Sequence, residues 1–562
     1  MKTKIQHLSG AIANIALLLT MSACGGGNNA DNVPVSTLPK IEQLAAEYLP
    51  NTNSAKAHDV SPVLRDIKLS QAQLAAARPS KEARIWRQIP PPPPEKFING
   101  PALSPPRMQE QSAGIPFPAS VFNDILGLGI EFPGFSMRYI PPDTSGAVGL
   151  TQYVQWVNSS FAVFDKLSGN SVYGPVDGNT LWTGFGGPCE TNNDGDPLVV
   201  YDKAADRWVL SQFTLQGGPP YFQCVAVSTT ADATGSYNRY AFAYDEFPDY
   251  PKMGVWPDAY YITFNMFTPP SFGFNGAKVC AYDRASMIAG LDASQQCVQL
   301  GTDVASLLPA DLDGLIPPPL DAPNPLVNIG LSSSLNLFKF HVDWVDPTAS
   351  LLSGPTVISV DPFTRPPFQN SVPQQGTIQR LDSIGDRLMF RLAYRNFADH
   401  ESLTVNHSVI ADPSTMRTGV RWYELRDTNS SPKVYQQSTF SPDSSSRWVG
   451  SVAMDATGNI AMGYNVSSGN MFPSIRYTGR LADDPLNIMR DEAVDINGTV
   501  YGSGSQTLYS RWGDYSSMTV DPVDDCTFWY TNQYLPASGN FNWNTRIFSF
   551  RLPTCSSPSA PS

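Results

Sequence analysis

The chain has 562 residues, of which 11% are aromatic and only 15% charged, with 50 Pro and 42 Gly, a composition that suits a turn-rich all-β protein. Its net charge of −13, without any run of Lys or Arg, argues against nucleic-acid binding, which needs a basic footprint. A length of 562 would ordinarily mean three or four domains, but one closed ring of repeats can use about 400 residues.

In chain order, Lys2 and Lys4 precede an apolar run (11–21) too short to cross a bilayer as a helix. It ends in Met21-Ser22-Ala23-Cys24 and a glycine run, which resembles a bacterial lipoprotein signal with Met where Leu is usual. The resemblance implies removal of 1–23, lipidation of Cys24 and anchorage in a membrane. Gly25 after the Cys implies the outer membrane or cell surface, with the periplasm as the alternative. An ordinary signal peptide that contains a Cys is the competing reading. Residues 24–116 read as a tether with short helices over 40–48 and 69–77 and a stiff proline run at 90–94. Residues 117–558 read as the folded domain.

Setting Cys24 aside leaves Cys189, Cys224, Cys280, Cys297, Cys526 and Cys555, an even count that in an exported chain reads as three disulfides. Sequential pairing would keep each bridge within one repeat, although six cysteines allow 15 connectivities. No C-x-x-C or Cys/His spacing points to a thiolate metal site.

From Asp143 onward seven stretches share one pattern: a short apolar run, a turn rich in Asp, Gly or Asn, then an aromatic alternating strand. They start at DTSGAVG (143–149), DGDPLVVYDKAADRW (194–208), DYPKMGVWPDAYY (249–261), NPLVNIG (324–330), DRLMFRLAYRNF (386–397), RWVGSVAMDATGN (447–459) and RWGDYSSMTVDPVDDCTFWYTN (511–532). Short strands repeated in this way predict an all-β β-propeller of seven blades, with six or eight as alternatives. Two tandem β-sandwiches are the competing architecture. As the last unit, 511–532 should close the ring with a strand ahead of Asp143 and a Cys526–Cys555 clamp.

PPDTSGAVGLTQYVQWVNSSFAVFDK (141–166) with GDPLVVYDKAADRWVLSQF (195–213) resembles a set of exported bacterial propeller-like proteins of unassigned activity. The Asp turn at 202–208 is also similar to the turns of sialidases, though no unit contains a full S-x-D-x-G-x-x-W.

A propeller gathers the residues ahead of its inner strands around one channel mouth. Here they are Asp143, Asp194, Asp196, Asp249, Tyr250, Lys252, Asn324, Asp386, Arg387, Arg447, Trp448, Arg511, Trp512 and Asp514. Arg387, Arg447 and Arg511, from three consecutive units, could form a forked receptor for a carboxylate or sulfate, with Lys252, Trp448 and Trp512 beside them. By analogy of position, sialidases use an arginine trio in this way. The competing reading is blade packing with Arg stacked on Trp, since Arg-Trp recurs at 207–208 and 421–422. Candidates for acid–base or nucleophilic work are Asp143, Asp196, Asp249, Glu401 and Asp514, with Tyr250 or Tyr515 as a sialidase-style nucleophile. Asp194 and Asp196, alternating around Gly195, suit Ca²⁺, against an Asp turn that caps its own backbone. The reading is therefore a monomeric, lipid-anchored propeller that binds a glycan or surface protein. The alternative is a glycoside hydrolase or lyase acting on an acidic polysaccharide or glycoconjugate.

Overall fold

Alternation and Asp/Gly turns produce strands buried on both faces. Thr144–Val148 and Leu198–Asp202, for example, are buried at every position. The computed structural model describes residues 46–68, 82–83 and 106–555, apart from 216 and 368. Residues 1–45, the expected helix at 69–77 and the proline run lie outside the described residues.

The strands fall into successive antiparallel groups in chain order, here numbered 1 to 7. Their first strands are Thr144–Val148, Leu198–Asp202, Phe247–Val255, Leu308–Asp313, Met389–Asn396, Ser446–Met454 and Ser517–Val520. Each of these lies beside the next, and the last lies beside the first, so the inner strands form a closed circuit. This is a β-propeller. Between groups 4 and 5 the inner strands pair directly in parallel, Ala310 opposite Leu392, which joins the two groups into one sheet.

Group 7 takes its outer strand from far upstream: Ser120–Leu126 pairs antiparallel with Asn544–Arg551. This is the closing strand expected ahead of Asp143, and it shuts the ring by joining the two ends of the propeller sequence. The disulfides are Cys189–Cys224, Cys280–Cys297 and Cys526–Cys555, the sequential pairing.

Two expectations are corrected. The described part of the supposed tether does not stand away from the propeller. Ala46–Tyr48, Asn51–Ser54 and Ala57–Val60 pair in turn with the outer strands of groups 4, 3 and 2, running backward round the rim as a strap. Residues 46–48 are therefore strand rather than helix, because open sheet edges offer the backbone partners that an isolated short helix lacks. Arg239, buried, pins the strap by donating to both Asp59 oxygens at 2.8 and 2.6 Å. Secondly, NPLVNIG is the second strand of group 4, not the first. Asn324 is buried one strand out, where it brackets Ala310 by accepting from its N–H and donating to its carbonyl.

Candidate functional site

At the upstream ends of the inner strands, backbone geometry repeats. Asp143, Asp196, Tyr250, Ser306 and Val449 all have φ between 47° and 55°, each one or two residues before its strand pairs regularly. A left-handed conformation is costly for a side chain such as Val or Tyr, about 1–3 kcal/mol, so its recurrence marks a constrained ring of turns. These turns aim side chains at the axis.

Five groups meet there. Lys252 of group 3 is buried with its Nζ 3.5 Å from the centre of the Tyr250 ring and 4.1 Å from that of Tyr515 in group 7. The Nζ donates to the Pro251 carbonyl at 2.7 Å. Arg387 of group 5 stacks on Tyr250 at 4.3 Å and pairs with both oxygens of Asp386 at 2.9 Å. Arg511 pairs with Asp514 at 2.8 Å, and the Asp514 N–H donates to buried Asp143 at 2.8 Å. Asn158 supplies a second donor to Asp143 at 3.1 Å, and the Tyr515 hydroxyl donates to the Pro197 carbonyl at 3.0 Å. Asp196, Asp249, Asp386 and Asp514 are partly exposed, whereas Asp143, Tyr250, Lys252, Arg387, Arg511 and Tyr515 are buried.

Burial dominates the electrostatics. It drives the Lys252 ammonium down to about 7, against the pull of Asp196 and Asp514 and with help from the Arg387 charge. Burial, then the Asp514 and Asp196 charges, pushes Asp143 well up. Burial likewise raises Tyr250 and Tyr515, so both stay protonated in the physiological range. The arrangement can therefore exchange a proton on Lys252 near neutrality while its tyrosines remain donors.

Not every expected residue is here. Arg447 faces away from the mouth, held by Asp443 at 2.9 and 3.0 Å and by Glu492 at 2.7 and 3.0 Å. Trp448 and Trp512 are buried against each other, ring centres 5.7 Å apart, in an apolar cluster with Val372, Leu381 and Leu535. The three-arginine receptor and its two tryptophans are thus corrected: packing of large rings between groups 6 and 7 takes them. Arg447 rests on Phe440 rather than on a Trp. Glu401 opens the second strand of group 5, at the opposite end of the inner strand, and accepts from Tyr394 and Asn429. Asp194 is buried and accepts the Leu215 N–H at 2.6 Å. Among the described residues no group of three or more His, Cys, Asp or Glu is placed to hold a metal ion.

Sequence reading missed the downstream half of the axis. Arg391 of group 5 donates to Asp311 at 2.8 Å, pairs with Asp313, and reaches the Met518 carbonyl of group 7 at 3.2 Å. Lys203 pairs with Asp313 at 2.7 Å, and Arg395 with both oxygens of Asp525. The signal available was Asp-x-Asp at 311–313 with Arg-x-x-x-Arg at 391–395.

No protein-family model and no curated protein matches the chain. Among solved structures it is similar to polysaccharide lyase Uly1 (TM-score 0.36, 10% identity, covering 77% of this chain and 99% of that one). It is also similar to an endosialidase of phage phi92 (0.35, 8%, 65% and 67%) and to an endo-1,5-alpha-L-arabinanase from Thermotoga petrophila RKU-1 (0.28, 11%, 73% and 98%). These TM-scores lie below 0.5; the assignment of the fold rests on strand pairing.

Proposed function

We propose that the chain is an exported propeller, lipid-anchored through Cys24 and acting as a monomer, that binds a glycan at the upstream channel mouth. One observation carries this reading: segments far apart in sequence, from five of the groups, converge on Lys252 beneath a rim of carboxylates. Carboxylate oxygens keep spare lone pairs even when paired to Arg, and sugar hydroxyls are natural donors to them. The arginines of the mouth already face Asp386 and Asp514. This favours a neutral, hydroxyl-rich ligand over an acidic one. A second reading, an enzyme acting on that glycan, is supported by Lys252 titrating near neutrality between two tyrosines.

The test is a glycan array probed with the full chain in detergent, together with Asp514→Asn. Wild type should bind a subset of glycans and the variant should lose at least about tenfold in affinity, about 1.4 kcal/mol. Equal binding by both proteins would remove the mouth from consideration. Release of reducing ends from the bound glycans selects the enzyme reading. Incorporation of labelled palmitate, lost in Cys24→Ser, checks the anchor.

A further inference from the structure

At the downstream ends of the inner strands several turns carry exposed aliphatic side chains. Leu150 follows the inner strand of group 1, Val523 that of group 7, and Leu315, Ile316 and Leu320 that of group 4. Leu167, on the next downstream turn of group 1, joins them. Leu167 and Leu320 are each 93% exposed. Aliphatic residues scattered singly over a surface are ordinary, but a cluster on one face marks a contact.

These turns are neighbours. Lys166, beside Leu167, donates to the Gly149 and Leu150 carbonyls at 3.1 Å and pairs at 2.7 Å with Asp521, on the turn of Val523. Gly314, beside Leu315, backs onto group 7: a β-carbon on it would stand 3.5 Å from the Asp525 carboxylate. Cations match the carboxylates between the tips, Lys166 at Asp521, Arg395 at Asp525, Arg551 at Asp524, and Lys203 with Arg391 at Asp313. Asp165 and Asp321 leave the patch slightly negative, which suits zwitterionic rather than anionic lipid. Tips that protrude from separate turns would each need a pocket on a protein partner, whereas a lipid interface takes them without one. Chain length points the same way. Twenty-two residues beyond Cys24 lies Ala46, on the outer strand of group 4. That stretch spans at most about 75 Å, so a lipid on Cys24 keeps the propeller close to the bilayer, where weak apolar contacts suffice.

We propose that the downstream face docks on the membrane surface with these aliphatic tips at headgroup level, so that the upstream mouth faces away from the bilayer. The proposal rests on the lipid-anchor reading above and adds the orientation of the anchored propeller.

The test uses Leu320→Cys, Val523→Cys and, on the upstream side, Ile378→Cys, all exposed positions. Each thiol is labelled with an environment-sensitive fluorophore, and the full acylated chain is reconstituted in vesicles of phosphatidylethanolamine and phosphatidylcholine. Nitroxide-bearing lipids should quench about half of the signal at 320 and 523 and leave that at 378 unchanged. No quenching at 320 and 523, or equal quenching at all three positions, overturns the docking and leaves the anchor intact. Shielding of 320 and 523 from aqueous iodide without quenching by lipid means that a second copy or a protein covers the face, and overturns the membrane as its occupant. If the wild-type chain neither floats with the vesicles nor incorporates palmitate, the anchor reading fails and the docking with it.

Discussion

Lys252 shows what burial does to a single side chain in this protein. Its charged form is disfavoured in the fold, with a pKa of about 7 against the 10.5 of a free lysine. Below about pH 7 it is protonated both folded and unfolded, and the fold carries the full cost of the buried charge. Between 7 and 10.5 only the unfolded chain holds the proton, so stability contributed by this group rises with pH. Asp143, pushed up, acts oppositely: above 3.8 the unfolded chain gives up its proton first, so its contribution falls as pH rises until the folded group titrates. Lys252→Met should therefore shrink the gain in melting temperature between pH 7 and pH 9, which scanning calorimetry at the two pH values measures. An unchanged gain would mean that Lys252 is not the titrating group. The neighbours that flank this amine, Tyr250, Asp514 and Tyr515, were legible from their place ahead of inner strands. Arg447 and Trp448 occupy the same sequence position in group 6. Only tertiary packing decides that they turn toward Glu492 and Trp512 instead.

Among the elements, the strap is the least secured. Asn51–Ser54 is exposed at all four positions, so backbone pairing holds that strand, and the Arg239–Asp59 contact pins the strap further along. Its amides should exchange with solvent well before those of Thr144–Val148, as hydrogen-exchange mass spectrometry would show. Asp59→Ala should cost about 1–2 kcal/mol in urea unfolding. That is less than the 3–5 of a fully buried pair, because Asp59 is 37% exposed. A variant as stable as wild type would mean that Arg239 is satisfied by the Leu181 and Thr183 carbonyls alone. Strand alternation was readable wherever a strand carried its own apolar period, which is why most inner strands were located correctly. Leu308–Asp313 was not, because Pro309 and two aspartates mask a strand whose polar side chains face ion partners on the axis. The strap was unreadable for a different reason: its strands borrow their order from edges elsewhere.

At the scale of the whole molecule, the two ends of the axis divide the work. The downstream half is filled by Arg391, Lys203 and Arg395 with their aspartates, while the upstream half gathers a titratable lysine, two protonated tyrosines and a carboxylate rim. Ring closure by Ser120–Leu126 fixes groups 7 and 1 against each other, and so fixes Arg511 and Asp514 against Asp143. The mouth exists only in the closed ring, which explains why no single motif announced it. The most direct test is a crystal structure of the protein with the glycan that the array selects. The account predicts a sugar within hydrogen-bonding distance of Asp196 or Asp514 at the upstream mouth. A glycan bound only at the downstream face or on the outer rim, with the mouth unchanged, would contradict it.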